Sequence, residues 1–217
     1  MNLAFLHLCD SLFPIGAFAH SDGLESAAAA GRIASAADLG EWLAVCLDES
    51  IGGLEGPAVW QAWRAARDGD LRALAALDEE LTALRPSSAA RSSSRAMGHR
   101  LLTMWSALHP DAALGAMRGT YSLPIAFAAA AAGAGAERRA TVEAFAYTRL
   151  AATVSAAMRL LPVGQRDAHA LLARALERVP GVVDRIAARG GTLESFSPAL
   201  DIAAMTQQYL HSRLFRS

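Results

Sequence analysis

The sequence contains no lysine: all twenty of its cationic side chains are arginine. Without lysine there is no amine for Schiff-base chemistry and no P-loop lysine to grip a phosphate. Cysteine is scarce too. Cys9 and Cys46 lie far apart at no ligand spacing, which reads as a reduced, cytoplasmic protein rather than a disulfide-stapled one. Neither sign of charge dominates. Twenty arginines face twenty-one acidic residues, and the net charge of −1 argues against sequence-independent binding to nucleic acid, which needs many uncompensated cations. No apolar run is long enough for a bilayer. The longest, from Leu123 to Ala136, is fourteen residues of mostly Ala and Gly, against roughly 20 for a span. The N-terminus has no basic region and meets Asp10 early, so no secretory signal is expected.

Recognisable catalytic motifs are missing as well. None of His7, His20, His99, His109, His169 and His211 pairs with another at a three- or four-residue step. His20 and Glu25 fall in the one local cluster with ligand character, but their spacing is not diagnostic, and helix capping accounts for the cluster better than a metal does. There is no G-x-S-x-G and no phosphate-binding glycine loop, and Ser92-Ser93-Ser94 reads as a helix start or loop. We therefore expect no catalytic set, no metal and no cofactor. Any catalytic residues would have to be scattered along the chain.

What is present is helix. At 217 residues and 53% apolar, the chain can build a full core without staples. Asp22 and Glu25 have the offset of a capping box before an Ala-rich run that Gly31 closes. Ser35 with Asp38 starts a second helix through Trp42 and Leu47, ended by Gly52-Gly53. Pro57 opens a third to Gly69, and Asp70 caps a fourth that Pro86 stops. A fifth runs from Arg95 to Leu108. Val142, Phe145, Leu150, Val154, Ala157 and Leu161 recur at helical steps, giving a long helix from about Arg138 to Leu161. Gln165 to Arg178 and Val182 to Arg189 read as two helices parted by Pro180-Gly181, and Ser197-Pro198 begins the last. No stretch alternates like a strand. The expectation is all-α: a single domain over residues 1–217 of about nine or ten helices, with 1–21 an N-terminal loop or arm and 205–217 a partner-binding tail.

Three features do not fit a plain helical core. Phe13, Ile15 and Phe18 flank Pro14 and Gly16, which break regular structure, so this segment is either a buried loop or a rigid apolar surface for a partner. The C-terminus carries Tyr209, Leu214, Phe215, Arg213 and Arg216 almost to its last residue, types favoured at interface cores, which fits a tail that orders on another chain better than core packing. Charge is also split. Up to His109 there are eight Arg and thirteen acids, net −5; beyond it there are twelve Arg and eight acids, net +4. Opposite faces meeting different partners would explain this, as would surface noise.

These segments carry a family resemblance. Asp10 to Glu25, DSLFPIGAFAHSDGLE, resembles the D-S-x-x-P-I-G-x-F-x-H-S-x-G-L-E signature of UreF-type urease accessory proteins. Arg159 to Gln165 is similar to their R-L-x-P-x-G-Q turn, Arg95, Gly98, Leu101 and Leu102 to their R-x-x-G-x-x-L-L stretch, and Ser212 to Ser217 to their closing S-R-L-F-R-S. The departures are Ala17 for a usual Gly, Gln207-Gln208 for a usual His-Glu, and His211 where Tyr is frequent. The resemblance implies an all-α, non-enzymatic scaffold that forms homodimers. It would bind a UreD/UreH-type accessory protein, recruit the GTPase UreG, and dock on apo-urease to promote GTP-dependent nickel insertion and lysine carbamylation.

By the same resemblance, Arg213, Leu214, Phe215, Arg216 and Ser217 would order against the UreD-type partner. Pro14, Ile15, Gly16, Phe18, His20, Ser21 and Glu25 would present or brace the surface shared with the GTPase, with His20 and Glu25 equally readable as internal struts. Arg159, Pro162, Gly164 and Gln165 would shape the turn. The competing classes are a metal-binding chaperone in its own right, a helical enzyme with dispersed catalytic residues, and a helical DNA-binding regulator, which the charge balance disfavours.

Overall fold

A computed structural model describes residues 2–110, 117 and 119–216. Among these the chain is helical with no strand, as the periodicity predicts. The helices are α1 (Leu3–Leu8), α2 (Leu24–Ala29), α3 (Ala36–Val45), α4 (Gly56–Arg67), α5 (Leu71–Ala83), α6 (Ser88–Leu108), α7 (Leu123–Gly133), α8 (Arg138–Leu160), α9 (Gln165–Ala188) and α10 (Pro198–Thr206). Residues 3–8 are thus helix, where the sequence reads as a loop or arm.

The Ala-rich run too short for a membrane is the centre of the molecule. Every residue of α7 from Leu123 to Ala132 is buried, and α4, α6 and α8 pack around it. A helix apolar on all sides is stable only when enclosed, and small alanines let its neighbours approach closely. Its entry is built with care. Ser122 N–H donates to Asp78 Oδ1 at 2.8 Å, and Leu123 N–H to Ser94 Oγ at 3.1 Å, so two donors that the first helical turn leaves open are satisfied. The serine run therefore lies inside α6, not in a loop, and Ser94 is an anchor. Gly98 is needed at the same place: a Cβ there would stand 2.2 Å from the Tyr121 carbonyl oxygen and 2.7 Å from the Ser122 carbonyl carbon.

Two predicted breaks are not breaks. Gly52-Gly53 does not end a helix. Instead α3 continues through a wider π-type stretch, Cys46–Glu55, directly into α4. The Gly56 N–H reaches back five residues to the Ile51 carbonyl. Pro57 has no N–H to offer the Gly53 carbonyl four residues earlier, and Glu194 N–H supplies the donor at 2.8 Å. The glycines serve contact: a Cβ on Gly52 would meet Val182 Cγ1 at 3.1 Å, one on Gly53 the Glu194 carbonyl oxygen at 3.0 Å, and one on the following Gly56 Ile186 Cδ1 at 2.7 Å. Pro180 likewise lies inside α9. Interior proline costs about 3 kcal/mol, but Leu172, Ala175, Val179, Val182, Val183 and Ile186 keep one buried face across it, and that packing holds the helix together.

The cap readings divide. Ser35 and Asp38 form a capping box, and Asp70 accepts from Ala73 N–H at 2.9 Å. The Asp22–Glu25 box does not form. α2 is capped by Gly23 at φ +88°, while Asp22 and Glu25 make the long-range contacts described below.

Two glycine substitutions test this packing in opposite directions. Gly98→Ala should lower the unfolding free energy by about 3 kcal/mol, because rigid backbone would have to shift. Gly181→Ala, in open helical surface, should raise it by about 0.5–1 kcal/mol. Urea denaturation of the two variants reads both.

Candidate functional site

The two ends of the chain meet. The Glu25 carboxylate, buried at the start of α2, accepts from three donors: Gln207 Nε2 at 2.7 Å, Leu214 N–H at 2.5 Å and Phe215 N–H at 3.1 Å. Gln207, itself buried, uses its amide both ways. Its Oε1 accepts from Ser26 N–H at 3.1 Å while its Nε2 serves Glu25. An amide suits this place because it donates and accepts at once. Ser26 Oγ and Thr206 Oγ1 lie 2.7 Å apart, and α10 runs so close that a Cβ on Gly23 would sit 2.6 Å from Ala204 N.

The arm joins the same construction. Arg216 N–H donates to the Ala19 carbonyl at 2.8 Å. Arg159, on α8, donates to the Phe18 carbonyl at 2.7 Å and lays its guanidinium 4.3 Å from the Phe215 ring centroid, a cation–π contact. Arg100 reaches the Ile15 carbonyl at 3.2 Å, and Gly16, at φ +78°, leaves room for it. We call this arrangement the clasp.

The structure therefore joins much of the predicted set and revises its details. Glu25 is a strut, holding the tail to α2. Phe215 is 3% exposed, packed against its own chain. Arg159 reaches into the clasp; Pro162 and Gly164 lie between α8 and α9, and Gln165, exposed, begins α9. Pro14, Phe18, Arg213, Leu214 and Arg216 are exposed, Ile15, Gly16 and His20 half-buried, and Ser21 buried. Ser217 lies outside the described residues. Phe18 at 74% and Leu214 at 54% exposure put apolar surface on the outside of the clasp, with Tyr209 nearby in the chain at 79%.

Beside the clasp lies an ion network that sequence reading misses. Arg149 on α8 donates through Nη2 to Asp22 Oδ2 at 2.7 Å and through Nε to Glu55 Oε2 at 3.1 Å. Arg85 pairs with the other Glu55 oxygen. Glu55 closes the π-type stretch and is 3% exposed. Asp22 sits at φ +50°, a left-handed backbone that Asp tolerates better than most residues. The partners are up to 127 residues apart, so no local spacing could reveal them. Burial alone would raise the Asp22 carboxyl. The charge and hydrogen bond of Arg149, with Arg85 and His20, hold it below its ordinary value. Arg149 is held well above the usual guanidinium range: burial opposes its charge, but Asp22 and Glu55 outweigh that.

The other titratable groups argue for structure rather than chemistry. Burial pushes the Cys46 thiol up to about 12 and the Cys9 thiol to about 11, so neither supplies a thiolate at neutral pH. Burial, with the charges of Arg100, Arg149 and Arg216, lowers His20 although Asp22 opposes this. Among the described residues no group of three or more His, Cys, Asp or Glu is placed to hold a metal ion, and no helix is long and apolar enough to cross a membrane.

Comparison with known proteins gives the family. The UreF family model matches residues 33–176. A urease accessory protein UreF from Rhodopseudomonas palustris (strain BisA53) is 35% identical, over 94% of this chain and 88% of its own length. One from Methylibium petroleiphilum is 35% identical over 99% and 93%, and one from Chromohalobacter salexigens 33% identical over 98% and 93%. The chain belongs to the UreF family of urease accessory proteins.

Arg149→Met would leave Asp22 without its guanidinium and Glu55 with Arg85 alone. The variant should lose about 3–5 kcal/mol at pH 7. Because Asp22 titrates below its ordinary 3.8 when folded, its pairing stabilises fully above that pH and is lost as pH falls through the lowered value. The stability gap between wild type and variant should therefore narrow below pH 3.8, as read by urea denaturation across pH.

Proposed function

We propose that this protein is a non-enzymatic scaffold of urease maturation. As a homodimer in the cytoplasm it joins a UreD/UreH-type accessory protein and the GTPase UreG to apo-urease, and so promotes GTP-dependent insertion of nickel, which is cargo here. The observation that carries the reading is the clasp. The segments that resemble the family's signature and closing motif lie more than 180 residues apart, yet Glu25 ties them together. Phe18, Leu214 and Tyr209 then face outward with the guanidinium-bearing Arg213 and Arg216. Aromatic, leucine and arginine side chains on a braced surface are what a protein partner buries at an interface core.

On this reading the exposed members of the tail, Leu214, Arg213 and Arg216, contact the UreD-type partner, while Phe215 holds them in position from beneath. Pro14 to His20 form the neighbouring surface toward the GTPase, braced by Arg100 and Arg159.

Co-purification with a UreD-type protein from the same source tests it. The full chain should form a stable complex, with stoichiometry read by size-exclusion chromatography and light scattering. A chain ending at Leu210 should lose it while far-UV circular dichroism stays helical. Complex formation by the truncated chain, or none by the full chain, would overturn the reading.

A further inference from the structure

Among the described residues one carboxylate oxygen is buried without a donor. It is Oε2 of Glu49, in the π-type stretch. A buried acceptor that meets no donor weakens a fold, so its place needs a reason. Glu49 lines a cleft of about 330 Å³ between the π-type stretch, the end of α9 and residues 192–196. Gly52 lines the same cleft, and the helix ladder passes its carbonyl over. Gly56, four residues on, gives its N–H to Ile51, and Pro57, five residues on, has none to give. Two acceptors three residues apart thus stand open in one cleft. The other charges there are already paired. Arg178 Nη2 and Arg185 Nη2 meet Asp48 at 2.5 and 3.1 Å, and Arg189 Nη1 meets Glu194 Oε2 at 2.7 Å. Phe196, 80% exposed, adds an aromatic ring to the lining. None of these residues belongs to the clasp.

We propose that this cleft binds the guanidinium of an arginine side chain presented by a protein partner. Open acceptors take donors, and a negative charge with no cation on it takes a positive one. An anion would meet the Glu49 carboxylate and find the arginines already paired. A guanidinium is a flat fork of five donors, so it can serve the Glu49 carboxylate and the Gly52 carbonyl together while its face covers an exposed ring. A lysine ammonium is a compact, strongly hydrated charge and fits this arrangement less well. A metal ion is not suited, since no group of three or more His, Cys, Asp or Glu among the described residues is placed to hold one. The π-type register itself makes the site, because it withholds a donor from Gly52, and such wide turns are frequent at functional sites. The cleft gives the scaffold a contact separate from the clasp, and binding of the arginine does not require the scaffold reading.

Titration of the full chain with N-acetyl-arginine N-methylamide, followed through its amide NMR shifts, tests the site. Residues 48–53 and 192–196 should shift and saturate while the clasp does not, and the lysine analogue should bind more weakly. Glu49→Gln keeps the size and removes the charge, and it should weaken binding about 10- to 100-fold, the worth of one charged hydrogen bond. Phe196→Ala should weaken it about two- to fivefold. Because Glu49 Oε2 has no donor to lose, Glu49→Gln should leave the urea midpoint unchanged or raise it, which a structural role would not allow. The protein source is read by capture of a UreD-type protein, a UreG-type GTPase and apo-urease. The variant should hold at least one of them about tenfold or more weakly than wild type. No saturable shift at the cleft, equal binding by Glu49→Gln, or a lowered urea midpoint would overturn the proposal. So would unchanged capture of every partner by the variant, which would leave a site for free small cations only. If wild type captures none of the three, the scaffold reading fails and the titration alone decides the cleft.

Discussion

A guanidinium taken out of water must find carboxylates, and Arg149 finds two. One belongs to the turn before α2 and the other to the end of the π-type stretch. This pairing fixes where three distant pieces of chain stand relative to α8: the arm's exit at Asp22, the α3–α4 junction at Glu55 and, through Arg85, the segment before α6. Losing Arg149 leaves the buried Glu55 with Arg85 alone and the half-buried Asp22 without its guanidinium. The clasp is built on that base. Gly23 follows Asp22 directly, α10 presses against Gly23, and Glu25 stands two residues further on. The hydrogen bonds that hold the tail therefore inherit their geometry from an ion pair they do not touch.

The charge asymmetry along the chain has a partly internal explanation. Acidic residues of the first half meet arginines of the second across the fold: Asp22 and Glu55 on Arg149, and Asp48 on Arg178 and Arg185. Opposite faces for opposite partners are not needed to account for those charges. The complementarity is between two halves of one chain, and it helps α9 lie along the π-type stretch. The exposed pairs, such as Arg189 with Glu194, contribute little on their own.

Helix positions were legible wherever a cap or a period of 3.6 marked them, as at Ser35, Asp70 and the long α8. The two misplaced helix ends share one cause. Gly52-Gly53 and Pro180 are local breakers, but a continuous buried face outweighed them, and only tertiary packing decides that contest. The site was legible in part. Phe13 to Glu25 and the tail stood out because apolar residues sat among helix breakers and at a terminus. That they bind each other was not visible. Nor was the role of Gln207, which the sequence marks only as a departure from the family pattern. Its neutral amide instead satisfies Ser26 and Glu25 at once. Glu55 and Arg149 carried no signal, being ordinary charged residues within helical stretches, and neither did Arg85 in the loop between α5 and α6.

The π-type stretch has a consequence for how length can vary in this fold. A ladder that reaches back five residues uses more residues for each turn than an ordinary helix does. Cys46–Glu55 therefore holds slack. A residue could be lost there and the ladder drawn back toward normal spacing, with Leu39 and Trp42 on one side and Val59 on the other still facing the core. The same loss within α8 would turn everything beyond it by about 100° and carry Arg149 away from its carboxylates. This one apparently rigid helix can thus absorb a deletion that α8 could not.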